Sequence, residues 1–170
     1  TSVIVLKAFT LRINALVTLG MCLVSIPWVY DRVAYDIIHL PTDVAVLMYW
    51  GFVCMIPWPA AIGYRRFYQG LLIRNGRTRL VAYGTVVRLI GMLISAVVLV
   101  MIGGLPGVVV GTLSLTIGVI FEAVATRIMA TEVLRMYEQT SDPSHVALTN
   151  AEIVRFWLPL AATSAIGFAV

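Results

Sequence analysis

Four long apolar runs, separated from one another by short polar segments, dominate the order of residues along the chain. A helix needs about 20 residues to cross the hydrocarbon core of a bilayer. The runs therefore predict spanning helices over about residues 10–30, 42–63, 80–102 and 107–129. Together they make residues 1–138 the first unit of an all-α, polytopic membrane protein.

The second run contains two prolines, Pro57 and Pro59, within three residues. Each proline removes a backbone N–H donor, so the pair predicts a kink or a break in this span. Irregular backbone at membrane depth is tolerated only against protein or a water-filled cavity. Both prolines are therefore candidate cavity-lining residues, and a static kink is an equally good interpretation of them.

The third and fourth runs are joined by Gly103-Gly104-Leu105-Pro106-Gly107, which has room only for a tight turn. The two helices are thus expected to form an antiparallel hairpin. Small residues recur at helical spacing on one face of each helix, and such stripes let helices approach closely in lipid. The candidate packing residues are Gly84, Gly91, Gly107, Gly111 and Gly118.

Each small-residue stripe contains one ionisable residue, Arg88 in the third span and Glu122 in the fourth. An ionisable side chain inside a span is costly, so by default it faces protein or water and has a partner. The helical rise of about 1.5 Å per residue puts both at similar depth. Two interpretations stay open. The pair either fixes the hairpin, or Arg88 also meets an anionic substrate while Glu122 holds it or exchanges with that substrate.

Composition and charge support a membrane protein and indicate its orientation. Hydrophobic residues make up 61% of the chain and charged residues only 12%, which excludes a soluble domain. Five arginines lie within residues 64–79, and short cytoplasmic loops retain such residues. This places residues 64–79 and 130–155 in the cytoplasm, with ten of the twelve basic residues on that side. Arg65 and Arg66, at the start of the basic segment, are further candidates for lining a substrate cavity.

After the fourth run, the chain continues with a polar segment and then a short apolar one. Residues 139–150 are polar and predict a cytoplasmic linker. Thr149 and Glu152 have the spacing of a capping box, which predicts that a helix starts there. The apolar segment that follows reaches the last residue after half a crossing, so residues 151–170 are interpreted as a truncated span. We expect the native chain to continue.

Several segments, taken in order, resemble a family of membrane transporters. They are Pro57-x-Pro59, Arg66 to Gly70, Asn75-Gly76-Arg77-Thr78 before a span with an inner Arg88, and Phe156-Trp157-Leu158-Pro159-Leu160. This order is similar to that of the multidrug/oligosaccharidyl-lipid/polysaccharide exporter superfamily, and within it to the progressive ankylosis protein group. The resemblance implies two six-helix lobes, twelve helices in all, that alternate access to a central cavity. It also implies that the chain holds helices three to six of the first lobe, the linker between lobes and the start of helix seven.

The function expected from the resemblance and from Arg88 is alternating-access export of an anionic or pyrophosphate-bearing solute, or of a lipid-linked glycan. One alternative is a multidrug cation exporter on the same fold, and another is a structural membrane protein that transports nothing.

An enzyme is not expected, because no span pairs a nucleophile with a base or carries a phosphate-cradling loop. No cofactor or metal is expected either, since Cys22 and Cys54 lack metal-ligand spacing. The expected partners are membrane lipid, the substrate and the remaining helices of the same protein, with no nucleic acid. The expected location is the plasma (inner) membrane.

Overall fold

The computed structural model describes residues 2–139 and Arg155, and every regular element in that part of the chain is helical. The inter-lobe linker and the truncated span expected over residues 139–170 lie outside the described residues, apart from Gln139 and Arg155. A single π-helical turn, Arg32–Ile37, follows the second helix. The α-helices are α1 (Ser2–Val24), α2 (Pro27–Asp31), α3 (Thr42–Cys54), α4 (Trp58–Arg74), α5 (Thr78–Ile102), α6 (Gly107–Met129) and α7 (Thr131–Gln139).

Four stretches of the described chain are long and apolar enough to cross a membrane. They are Val5–Val24, Thr42–Arg74, Thr78–Ile102 and Gly107–Met129. Large apolar side chains are exposed along all four, which is expected of helices that face lipid and not water. The predictions of an all-helical chain and of a multi-pass membrane protein are confirmed. The two-lobe, twelve-helix arrangement stays a prediction.

The second span is broken between α3 and α4, as its prolines predict. Pro57 precedes the first residue of α4, and Pro59 occupies its second position, where a missing N–H is tolerated. At the break the N–H of Trp58 donates to Met55 O, so Cys54 O is left without its usual helical donor. The hydroxyl of Thr116 on α6 lies 3.0 Å from Cys54 O and 2.9 Å from Thr112 O of its own helix, so its one proton can be donated to Cys54 O in place of the missing N–H.

The basic segment expected to form a loop is mostly helical. Helix α4 continues to Arg74, and only residues 75–77 separate it from α5. The turn is possible because Gly76 adopts a φ of 69°, a conformation that costs glycine little. Four of the five arginines of this segment therefore lie on regular helices, and Arg77 lies in the turn between them. We call this side of the protein, formed by the ends of α4 and α6 and the start of α5, the arginine-rich end.

Helix α6 is the centre of the bundle. It packs against α3, α4 and α5, while α1 packs against α4. The turn between α5 and α6 contains Gly103 and Gly104, both with positive φ, and produces the predicted antiparallel hairpin. A fully buried α6 face results, and it carries polar as well as apolar residues. Its buried members are Ser114, Thr116, Gly118, Val119, Glu122, Ala123 and Thr126.

Two buried clusters close the two ends of the described bundle. The cluster at the arginine-rich end joins α4 to α7 through Tyr68, Leu71, Leu72, Ala130 and Val133. The cluster at the opposite end joins α2, the π-helical turn and α3 through Tyr30, Ala34 and Ala45. The candidate functional residues lie between them, where α4, α5 and α6 meet.

The glycines of the hairpin differ in how tightly they are packed. A methyl group added to Gly118 would lie 3.0 Å from the backbone oxygen of Arg88, and one added to Gly91 would lie 3.1 Å from Phe121. At Gly84 it would lie 3.1 Å from the hydroxyl of Thr126. At Gly107 and Gly111 it would meet nothing within 4 Å in the described part of the chain. The close helix contact is therefore made by Gly84, Gly91 and Gly118.

Candidate functional site

Glu122 is the most deeply buried charged residue of the described chain, with 0% of its surface exposed. It lies on α6 seven residues before the end of that helix, within the fourth candidate span. An isolated carboxylate at such a place is very costly, so the fold must supply partners. Three side chains from two neighbouring helices do so.

Two of these partners come from α4. The guanidinium of Arg65 donates a hydrogen bond to Oε2 of Glu122, and the amide of Gln69 donates to Oε1 over 3.2 Å. Arg65 and Gln69 are four residues apart, so one face of α4 presents both of them to α6. Both oxygens of the buried carboxylate are thus hydrogen-bonded, and α4 is tied to α6 through polar contacts.

The third partner is Arg88 on α5. Its Nη1 lies 3.7 Å from Oε2 of Glu122, which is an ion-pair distance but too long for a hydrogen bond. The side chain of Arg88 is 32% exposed, compared with 13% for Arg65. Close packing of Gly118 against the backbone of Arg88 sets this arrangement, since it brings α5 within reach of α6. Arg88 is therefore the looser and more accessible of the two arginines.

The cluster has more donor capacity than the carboxylate uses. Two guanidinium groups face one carboxylate, and an arginine side chain is always charged in proteins. The Nε of Arg65 and the Nε of Arg88 are buried without a hydrogen-bond partner among the described residues, and so is the hydroxyl of Thr126. A group that brings negative charge and several acceptor oxygens would satisfy these donors. The arrangement suits a carboxylate or a phosphate.

All three charged residues lie at similar depth. Measured along their helices at about 1.5 Å per residue, Arg65, Arg88 and Glu122 are roughly 10–15 Å from the arginine-rich end. A site at this depth lies within the half of the membrane next to that end.

The remaining candidates from the sequence lie away from this cluster. Arg66 is exposed, next to Arg65 in sequence but on a different face of α4, and has no ion pair or hydrogen bond with a described residue. Pro57 is exposed at the break and Pro59 is partly buried in the first turn of α4. Neither contributes to the charge cluster. Among the described residues, no group of three or more histidine, cysteine or acidic side chains is placed to hold a metal ion.

Sequence reasoning places Arg88 near Glu122 but misses the contact of Arg65 and Gln69 with the same carboxylate. The reason is that the basic segment is interpreted as a loop, so its side chains are not assigned to any face of a helix. A signal was present, since no proline lies between Pro59 and Asn75 and the only weak helix formers there are two isolated glycines, Gly63 and Gly70. An α4 extended to Arg74 puts Arg65 and Gln69 on one face.

Comparison with known proteins adds no family assignment to this geometry. No protein-family model, no curated protein and no solved structure matches the chain.

Proposed function

We propose that this chain is part of a membrane transporter for a small anionic solute, and that Arg88 binds that solute. The observation that carries the proposal is a fully buried carboxylate, Glu122, shared by two arginines inside candidate membrane spans. Ionisable residues at such positions are rare and mark substrate or ion pathways. The excess of positive charge and of N–H donors favours an anion over a cation.

In this proposal Arg65 and Arg88 have different roles. Arg65 and Gln69 hydrogen-bond both oxygens of Glu122 and keep the carboxylate satisfied when no solute is bound. Arg88 contacts the carboxylate only at 3.7 Å and is partly exposed, so it can turn to another anion at small cost. An incoming phosphate or carboxylate competes with Glu122 for Arg88. Binding then changes the contact between α5 and α6 while α4 stays attached to α6.

This exchange gives the solute a means of favouring one conformation over another. A ligand shifts an equilibrium only by as much as it binds the two states differently. A solute that pulls Arg88 away from Glu122 stabilises the state in which α5 and α6 are less tightly coupled. The break between α3 and α4 supplies a place where the bundle can bend in response.

The family resemblance extends the proposal to the complete protein. In the superfamily of multidrug, oligosaccharidyl-lipid and polysaccharide exporters, this chain takes the place of most of the first lobe, and the progressive ankylosis group suggests a pyrophosphate-bearing solute. The arginine-rich end, with the turn between α4 and α5, is then cytoplasmic, and the charge cluster lies in the cytoplasmic half of the membrane. Loading from that side agrees with export.

Transport by the complete protein in proteoliposomes tests the proposal. Labelled pyrophosphate and a cationic dye are offered in parallel to wild type, to Arg88→Gln and to Arg74→Gln, which changes an exposed arginine at the end of α4. We expect uptake of the anion by wild type and by Arg74→Gln, and loss of at least about ten-fold in Arg88→Gln, equivalent to about 1.4 kcal/mol. Uptake of the dye in place of the anion would support a cation exporter.

A structural role for the cluster has its own support, because Arg65 and Gln69 satisfy Glu122 without Arg88. If the cluster only braces the bundle, Arg88→Gln is folded and fully active. That outcome, or absence of transport of either solute by the complete wild-type protein, would overturn the proposal.

A further inference from the structure

A pocket lined by aromatic rings lies at the end of the bundle opposite the arginine-rich end. It has a volume of about 150 Å³ and is lined by three tyrosines, one acidic residue and three apolar residues: Tyr30, Tyr35, Tyr49, Asp31, Pro27, Ala45 and Val46. The residues come from α2, the π-helical turn and α3. Tyrosines are common at membrane–water interfaces, so the feature that distinguishes this pocket is the acidic residue among them.

Two of the three rings are held in place. The hydroxyl of Tyr30 donates to Ala45 O over 2.9 Å, and the hydroxyl of Tyr49 donates to Ser25 O over 3.2 Å. Their rings meet edge to face, with centroids 5.0 Å apart. Both hydroxyls are occupied by backbone carbonyls, so these residues offer the pocket their aromatic rings and not free hydroxyl groups.

The carboxylate at the rim has no cation of its own. Asp31 is exposed and makes no ion pair with any described residue, whereas the neighbouring Arg32 pairs with Asp36 over 3.3 Å. Burial raises the pKa of the Tyr30 phenol, and the nearby Tyr35 and Asp31 raise it further. Asp31 and the three tyrosines line one pocket, so a single bound group can contact all four.

We propose that this pocket binds an organic cation through a quaternary ammonium group. Aromatic faces attract such cations because of the ring quadrupole, and several rings around one cation are a recurring solution to its recognition. Asp31 adds an opposite charge. Drug-sized ligands occupy pockets of about 300–1,000 Å³, so a pocket half that size or less suits a headgroup and not a whole drug.

The cation has two sources with the same chemistry, a free solute such as choline and the headgroup of a phosphatidylcholine lipid. The pocket lies where the first candidate span has ended and the second begins, and we place it near the lipid headgroups for that reason. The site is separate from the charge cluster of α4, α5 and α6. It does not depend on the proposed transport function.

Binding of choline to the complete protein in a maltoside detergent tests the assignment. The control ligand is 3,3-dimethylbutan-1-ol, which has the shape of choline without its charge. We expect it to bind at least about five-fold more weakly, because a neutral group gains nothing from the ring quadrupole or from Asp31. Equal binding of the two ligands would overturn the proposal.

Variants locate the site. Tyr35→Leu and Asp31→Asn change residues that are not part of the buried core, and each should weaken choline binding by about 2–10-fold. Tyr83→Leu, which removes an exposed tyrosine on α5, should leave the affinity unchanged. Unchanged affinity in both Tyr35→Leu and Asp31→Asn would place choline elsewhere and refute the assignment.

Nanodiscs distinguish the two sources. Choline that binds in phosphatidylglycerol discs but is excluded in phosphatidylcholine discs identifies the lipid headgroup as the natural occupant. Equal choline binding in both identifies a free solute. No choline binding in phosphatidylglycerol discs would contradict the proposal in a membrane setting.

Discussion

At the scale of single residues, Arg65 and Arg88 share one carboxylate but are not equivalent. Arg65 is hydrogen-bonded to Glu122 and nearly buried, whereas Arg88 is more exposed and contacts Glu122 only at 3.7 Å. A buried ion pair adds little stability compared with apolar residues. Removing one partner nevertheless lowers the free energy of unfolding strongly, because the other charge is left buried and unpaired. The two arginines should therefore respond differently to the same substitution.

Arg65→Gln is expected to lower the free energy of unfolding by about 3 kcal/mol, because Glu122 then loses its hydrogen-bonded cation. Arg88→Gln should cost much less, since Arg65 and Gln69 still satisfy the carboxylate. Thermal unfolding followed by tryptophan fluorescence in detergent measures both. Adding Glu122→Gln to Arg65→Gln should recover part of the loss. An Arg88→Gln protein as unstable as Arg65→Gln would contradict this division.

At the scale of elements, the α5–α6 hairpin depends on where its glycines lie, and not only on their number. A methyl group added to Gly118 would collide with Cγ of Met92 and lie 3.0 Å from the backbone oxygen of Arg88, so the Met92 side chain must move and the two helices must shift slightly apart. Gly111 has open space around it in the described part of the chain. The two glycines lie seven residues apart on the same helix, which makes them a matched pair for substitution.

Gly118→Ala should destabilise the protein by about 1–3 kcal/mol, the usual cost of overpacking. Gly111→Ala should be neutral or stabilising by up to about 1 kcal/mol, because alanine is the better helix former. The unfolding free energy of each variant, measured in the same detergent, checks the difference. Equal destabilisation by both would show that Gly111 also packs against a helix, as its place in the small-residue stripe suggests.

Helix α7 is attached to the turn between α4 and α5 partly through an ion pair between Arg77 and Glu132. The hydrogen bond from Arg77, together with its charge, holds the pKa of Glu132 below its ordinary value of 4.5. A lowered folded-state pKa means that the pair stabilises the fold above about pH 4.5. The contribution is lost as the pH falls through the lower, folded-state value.

Glu132→Gln should therefore be slightly less stable than wild type at pH 7, and the two should converge as the pH is lowered below 4.5. The effect is small because both groups are exposed, and salt should reduce it further. Midpoints of thermal unfolding across a pH series provide the measurement. A gap that widens on acidification would mean that Glu132 has another role.

At the scale of the whole molecule, the elements were more predictable than the contacts between them. Hydrophobic run lengths indicate the spans, and the prolines and glycines indicate the break and the turns, because both are local properties of the chain. The proximity of Arg88 to Glu122 follows from spacing across a short hairpin. The contacts of Arg65 with Glu122 and of Tyr30 with Ala45 depend on how separate segments pack, which no local pattern encodes.

Orientation in the membrane is a property of the whole protein and has a direct test. A cysteine at Asn75, in a background where Cys22 and Cys54 are replaced by alanine, should react with an impermeant thiol reagent only from the cytoplasmic side. The expectation rests on the five arginines of residues 64–79. Labelling of intact cells from outside would reverse the orientation, and with it the side on which the charge cluster opens.

The break between α3 and α4 also divides the second span into two separate helical segments. Helix α3 carries Tyr49 of the aromatic pocket, and α4 carries Arg65 of the charge cluster, so the two sites belong to different segments of one span. Pro57 and Pro59 have no N–H to contribute, so rotation at this joint has fewer backbone hydrogen bonds to break than bending a continuous helix. A hydrogen bond from the hydroxyl of Thr116 to Cys54 O connects this break to α6. Bending at this break therefore stretches the hydrogen bond between Thr116 and Cys54 O, together with the contacts that α3 and α4 make with α6.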